Sequence, residues 1–339
     1  MRADDYVCTR LLMDTTVTIQ VPREGVDRVE NAFAWFHRVE ACCSRFDPRS
    51  ELRQLTEQVG TPVAASTLLF QAVQFALTVA RESRGAFDPT IGLSLEAMGF
   101  NRNYRTREQV ETTIASDGPV SYLDVELDAE PQTIMLKRPL ILDLGAMAKG
   151  LAIDLATREL RPLQDFAIDA GGDLYLGGHG ADGAAWSVGI RNPRPTKRPA
   201  GEGGDELIEV LHVSDAAVCT SGDYERKAPN AARGHHIIDP RTAASPNALA
   251  SVTVVAPTAM VADAVATAAF VLGPAEGLRF CELLGVEALM LSLSCERYAT
   301  RGMSSGLHRC DTSLCSDPER VVDDRARRPD RPFCTRARA

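Results

Sequence analysis

At 339 residues, with 45% apolar and 24% charged side chains, the chain has the composition of an ordinary globular protein, long enough for one large domain or two small ones. A net charge of −9 excludes a basic nucleic-acid surface, so a polyanionic ligand has to be met by local dipoles, single lysines or a metal ion. No run approaches the roughly 18 apolar residues of a transmembrane segment. The first twenty residues carry two acids near their head and no apolar signal region, and the nine cysteines include no C-x-x-C pair. The expectation is a reduced, cytoplasmic setting.

In chain order, Arg10–Val21 alternates like a strand, and residues 25–46 carry apolar residues at the spacing of an amphipathic helix. A short helix over 50–59 is followed by a longer one over 66–87 that stops at Gly85. Residues 101–120 are polar and irregular. Residues 125–145 read as a hairpin whose second strand is largely buried, and a helix follows directly over 146–160. Strands are expected over 165–178, 185–193, 206–222 and 249–257, helices over 261–274 and 275–285, and a closing hairpin over 286–303. Strand pairs and helices do not alternate regularly, which argues for an α+β fold with mixed or antiparallel sheets and packed helices. Residues 194–206 form a Pro/Gly-rich loop, and 304–339 read as a disordered, Arg-rich tail after a single domain over 1–303.

Cys219 to Gly273 concentrates hydroxyls, imidazoles and carboxylates between apolar strands, a pattern that points to metal-assisted chemistry on a phosphorylated ligand. In ADAVAT, Asp263 and Thr267 share one helix face and supply part of an oxygen shell for a hard cation such as Mg2+; a capping Asp and a Thr bonded to its own helix is the structural alternative. In DLGAMAKG a strand ends at Asp143 and a helix opens near Ala146. Lys149 in its first turn opposes the helix dipole, which suggests a ligand contact, against a plain surface lysine. GHHIIDP offers His235 and His236, which point to opposite faces in an extended segment, so one of them is expected at a site. In GAFDPT, Phe87 reads as a core residue and Asp88, before a proline, favours an extended turn, so neither is decisive alone. GHGADG (178–183) matches the dinucleotide fingerprint, but a strand follows where a helix is needed, so it reads as a turn.

Taken together and in order, MDTT, CSRF, RGAFDPT, DLGAMAKG, AGGDLYLGG, TSGDYERK, HHIIDPRTA and ADAVAT resemble the FAD:protein FMN transferase (ApbE-like) family over residues 10–303. The resemblance implies an ApbE-like, T-fold-related architecture. It implies FAD contacts at Met13, Phe46, Ala86, Phe87, Asp88, Asp143, Lys149 and the His236–Ile237 backbone, and Mg2+ (or Mn2+) held by the Ala146 carbonyl, Asp263 and Thr267. The implied reaction moves the FMN part of FAD onto a Thr or Ser hydroxyl of a target flavoprotein with release of AMP. His236 is the candidate general base and His235 its backup. FAD pyrophosphatase activity and non-catalytic FAD binding are the alternatives. Asp14 stands where the family commonly has Gly, and RTAASP replaces R-T-G-x-P, so a reshaped loop is expected after Arg241.

Overall fold

The computed structural model describes residues 5–102, 109–110, 114, 118–180, 183–195, 206–229, 234–304 and 307–309. Most of the polar 101–120 stretch, of the 194–206 loop and of the 304–339 tail lies outside the described residues.

The chain opens with a hairpin, β1 (Asp5–Leu12) and β2 (Thr15–Pro22), turning at Met13 and Asp14. The single strand expected over Arg10–Val21 is therefore two. Both turn residues adopt left-handed backbone (φ 50 and 62), which matches hairpin twist, but neither is the Gly or Asn that would signal it. Helix α1 (Val26–Cys43) buries Val29, Ala32, Phe33, Phe36 and Val39 along one stripe. Ser50 caps α2 (Glu51–Leu55) by accepting from the Arg53 amide at 3.0 Å. After the short β3 (Val63–Ala64), Ser66 caps α3 (Thr67–Glu82) in the same way, and the chain turns at Gly85 with φ 79.

Beyond α4 (Gly92–Ala97), β4 (Val125–Asp128) pairs with β5 (Thr133–Leu136). The buried run Leu140–Leu142 that the sequence assigned to this hairpin packs in the core but, among the described residues, pairs only through one parallel bridge, Ile91 to Ile141, and leads straight into α5 (Gly145–Leu160). A turn at Gly171 and Gly172, both at positive φ, joins β6 (Phe166–Ala170) to β7 (Asp173–Gly177). A Cβ on Gly171 would sit 2.0 Å from the Thr15 hydroxyl, so only glycine fits there. Two further strands follow, β8 (Trp186–Arg191) and β9 (Leu207–Ser214), and Asp215 at φ 54 then swings the chain into β10 (Ala216–Gly222). The run expected as one strand over 206–222 is thus split between two sheets. The last elements are β11 (Leu249–Ala256), α6 (Ala259–Leu284), β12 (Glu287–Ser292), β13 (Arg297–Ala299) and β14 (Leu307–Arg309). Strand β14 lies within the stretch read as tail.

The main sheet has eight strands in the order β1-β2-β6-β7-β10-β11-β12-β13, every neighbour antiparallel. One face packs against α1, α3, α5 and α6; the other is covered by β8 and β9 of a three-stranded sheet, with β14 parallel to β9. Strand β11, buried at every position, is covered on both faces, which explains its unbroken apolar run. By length and composition α6 could cross a membrane, but 67% of its most apolar stretch is buried within the protein. Gly273 breaks it (φ 78, ψ −179) ahead of Pro274, where the sequence placed the junction of two helices. The fold is α+β. Its antiparallel register gathers the Met13–Asp14 turn, the Gly171–Gly172 turn and the end of β10 at one end of the sheet.

Candidate active site at the crossing of two helices

The site is organised by the contact of α5 with the start of α6. A Cβ on Gly150 would meet the Ala259 carbonyl at 2.4 Å, so glycine sets how closely the helices approach. One turn on, the Asp154 carboxylate accepts from the Ala259 and Met260 amides at 2.7 and 2.9 Å, satisfying two open donors of the α6 N-terminus. The same crossing brings the Gly150 amide to 3.3 Å from Asp263 Oδ2.

Lys149 forms an ion pair with Asp173, the first residue of β7, whose other oxygen accepts from the Thr220 amide at 3.2 Å. This ties α5, β7 and β10 together at the glycine-rich end of the sheet. Asp263 is 6% exposed, and burial raises its carboxyl above the ordinary carboxylate range, with the nearby Lys149 charge opposing. Among the described residues no Lys or Arg pairs directly with it. Thr267, one turn further along α6, places its hydroxyl 3.0 Å from Ser221 Oγ on β10. The Ala146 carbonyl belongs to the first turn of α5. A buried carboxylate with no direct cationic partner among the described residues and a threonine hydroxyl one helical turn on is a donor set that suits a hard divalent cation.

The two histidines part ways, as expected for an extended segment. His235 is buried: its Nε2 donates to the Pro246 carbonyl at 3.0 Å and its ring packs edge-on against Phe270. That is a structural histidine, which removes it as the backup base. The His236 Nδ1 donates to the Arg226 carbonyl at 3.2 Å, and the His236 backbone amide uses the same carbonyl at 3.1 Å. Burial first, then the Arg226 charge, lower its pKa to about 4, so the ring is neutral at pH 7. With Nδ1 holding the proton, Nε2 is left as an acceptor. The Lys149 charge also bears on this ring, so the two lie within electrostatic reach. The Arg226 side chain pairs at 3.3 Å with Asp14 in the β1–β2 turn, the residue that replaces the family glycine.

The remaining expected ligand contacts are placed by their own local partners. Asp143 accepts from the Gly145 amide at 2.8 Å and pairs with the buried Arg45, whose guanidinium lies 4.0 Å above the Phe46 ring. Met13 is partly buried at its turn. Ala86, Phe87 and Ile237 are core residues at 1%, 4% and 4% exposure, so they offer backbone and shape more than polar contacts. The Asp88 carboxylate is occupied within the protein, accepting from Thr90 at 2.9 and 2.7 Å and from the Tyr122 amide at 2.9 Å. Sequence reasoning missed Arg45, Asp154 and Asp173. Only their position inside or beside CSRF, DLGAMAKG and AGGDLYLGG hinted at them, because their roles depend on partners 24 to 106 residues away.

The ApbE family model matches residues 13–290. The chain is 33% identical over 318 residues to the FAD:protein FMN transferase of Treponema pallidum, covering 86% of this chain and 85% of that one. It is 28% identical over 280 residues to the FAD:protein FMN transferase of Haemophilus influenzae, 79% of each. The crystal structure of the ApbE protein from Thermotoga maritima superposes with a TM-score of 0.77 at 27% identity, covering 89% of this chain and 99% of that one. The chain belongs to the ApbE family.

Proposed function

We propose that this protein is a Mg2+-dependent FAD:protein FMN transferase, moving the FMN moiety of FAD to a Thr or Ser hydroxyl of a target flavoprotein and releasing AMP. The observation that carries the reading is the helix crossing, which brings Asp263 to the Gly150 amide beside Lys149, from motifs over a hundred residues apart, while Lys149 pairs with Asp173 on β7 and Thr267 meets Ser221 on β10, with the Lys149 charge reaching His236. The relatives' names supply the substrate, and the geometry supplies residues suited to it.

In this reaction the acceptor oxygen bonds to the FMN-side phosphorus of FAD, and the bond from that phosphorus to the bridging oxygen breaks. The hydroxyl proton passes to His236 Nε2, and AMP leaves with the bridging oxygen. The Lys149 ammonium, aimed by Asp173, offsets negative charge on the pyrophosphate. Asp263, Thr267 and the Ala146 carbonyl would hold the cation, with Mn2+ able to substitute in an all-oxygen shell. When bound, the cation supplies Lewis-acid neutralisation of the phosphate oxygens. Held in one tautomer by the Arg226 carbonyl and neutral at pH 7, His236 would take the hydroxyl proton at Nε2.

The test is Asp263→Ala assayed for metal-dependent release of AMP in the presence of an acceptor. Loss of release supports the assignment; full activity in that variant ends it.

A further inference from the structure

Arg45 is 6% exposed and makes three kinds of contact at once. Its Nε pairs with Asp143, one Nη donates to the Phe100 carbonyl, and its planar face lies 4.0 Å from the centre of the Phe46 ring. The Phe100 ring in turn meets the His236 imidazole edge-on at 6.4 Å. The remaining nitrogen, Nη1, is buried with no hydrogen-bond partner, and its nearest carboxylate oxygen, on Glu96, stands 3.7 Å away.

Such an arrangement is poor economy for stability alone. Burying a guanidinium and leaving one of its N–H groups unmatched costs free energy that an apolar side chain of similar length would avoid. What the arginine provides instead is geometry: a flat, rigid fork that fixes one carboxylate, one carbonyl and one aromatic plane relative to each other. Those three groups reach Asp143, Phe46 and, through Phe100, His236.

We infer that Arg45 is the positioning residue of the flavin-nucleotide pocket, holding the Asp143 carboxylate and the Phe46 ring in the orientation that receives FAD. This rests on the function proposed above. Lysine keeps the charge but loses the fork and the stacking face, so the inference concerns shape more than charge.

The experiment is a double-mutant cycle in the full-length protein, with KM for FAD and kcat for FMN transfer measured for wild type, Arg45→Lys, Asp143→Asn and the double variant, alongside melting midpoints without FAD. Arg45→Lys and Asp143→Asn are each expected to raise the FAD KM about 10-fold or more, a loss that a mispositioned pocket produces. The double variant is expected to be no worse than the worse single. A melting midpoint that falls while the FAD KM stays within about twofold of wild type would reduce Arg45 to a structural role and overturn the inference. Multiplicative effects would overturn its action through Asp143. Because Arg45→Lys can itself lower stability, Arg45→Met in the Asp143→Asn background, which removes both charges together, serves as a second folded reference and should show the same raised KM. Wild-type protein that neither binds nor turns over FAD would overturn the proposed function first and this inference with it.

Discussion

Asp173, nearly buried at the start of β7, holds the Lys149 ammonium in a direct ion pair. The sequence suggested that Lys149 sits in an unfavourable helical position because a ligand needs it. The structure starts α5 at Gly145, which puts Lys149 just past the first turn, where the helix dipole opposes it less than the sequence implied, and it adds Asp173 as a protein partner for the ammonium. Asp173 also accepts from the Thr220 amide, so the pair is braced from β10.

From this, Lys149→Met is expected to lower kcat/KM for FAD by about 100-fold or more, the usual loss when one charge facing a transferring phosphoryl group is removed. Asp173→Asn keeps the side-chain shape and leaves Lys149 without its aim, so a smaller loss of about 10-fold is expected. Steady-state AMP release measures both. Equal effects would mean that the lysine works only as part of the pair.

Asp154→Ala should destabilise the fold by roughly 2–4 kcal/mol, because it leaves the Ala259 and Met260 amides buried and unmet. Urea unfolding reads this directly. Since Gly150 and Asp263 meet at the same crossing, transfer activity should fall in the folded fraction too.

His236 carries a pH prediction. Its folded pKa lies below the ordinary histidine value of 6.5, at about 4, so its neutral form persists in the folded protein well into acid. The stability tied to neutral His236 is therefore complete above pH 6.5 and is lost as pH falls toward 4. The acid limb of kcat/KM should lie near pH 4, not near 6.5. Arg226→Met removes a nearby positive charge while sparing the carbonyl that holds Nδ1, so it should move that limb upward. His236→Asn should remove the limb together with most of the activity.

Much of this could be read from the chain. Helical spacing located α1, α3, α5 and both halves of α6, including the break at Gly273, because apolar period and Gly/Pro punctuation are local signals. The Met13–Asp14 turn was not legible, since neither residue is the glycine or asparagine that usually takes a left-handed backbone. Asp215 divides one apparent strand between two sheets, a consequence of tertiary packing that no short window contains. In the site, spacing paired Asp263 with Thr267 and singled out Lys149. Asp154, Asp173 and Arg45 depend on partners distant in sequence, and the division of labour between His235 and His236 depends on which face the core covers.

The RTAASP loop after Arg241 gives a stability test. Ala243 sits at φ 55, where a Cβ is strained, in the loop where the family pattern R-T-G-x-P carries a glycine. Ala243→Gly is expected to stabilise the protein by about 0.5–1 kcal/mol, with FAD turnover unchanged. Thermal melting and the turnover assay together decide it.

The most direct test of the central claim is incubation of the purified protein with FAD and Mg2+, with and without an acceptor peptide bearing a Thr or Ser. Mass spectrometry follows the acceptor, and chromatography follows AMP. The account predicts an acceptor heavier by one phosphoester-linked FMN, AMP in equal amount, and loss of both with EDTA or Asp263→Ala. An unmodified acceptor would contradict it: free FMN with AMP would mark a pyrophosphatase, and intact bound FAD a carrier.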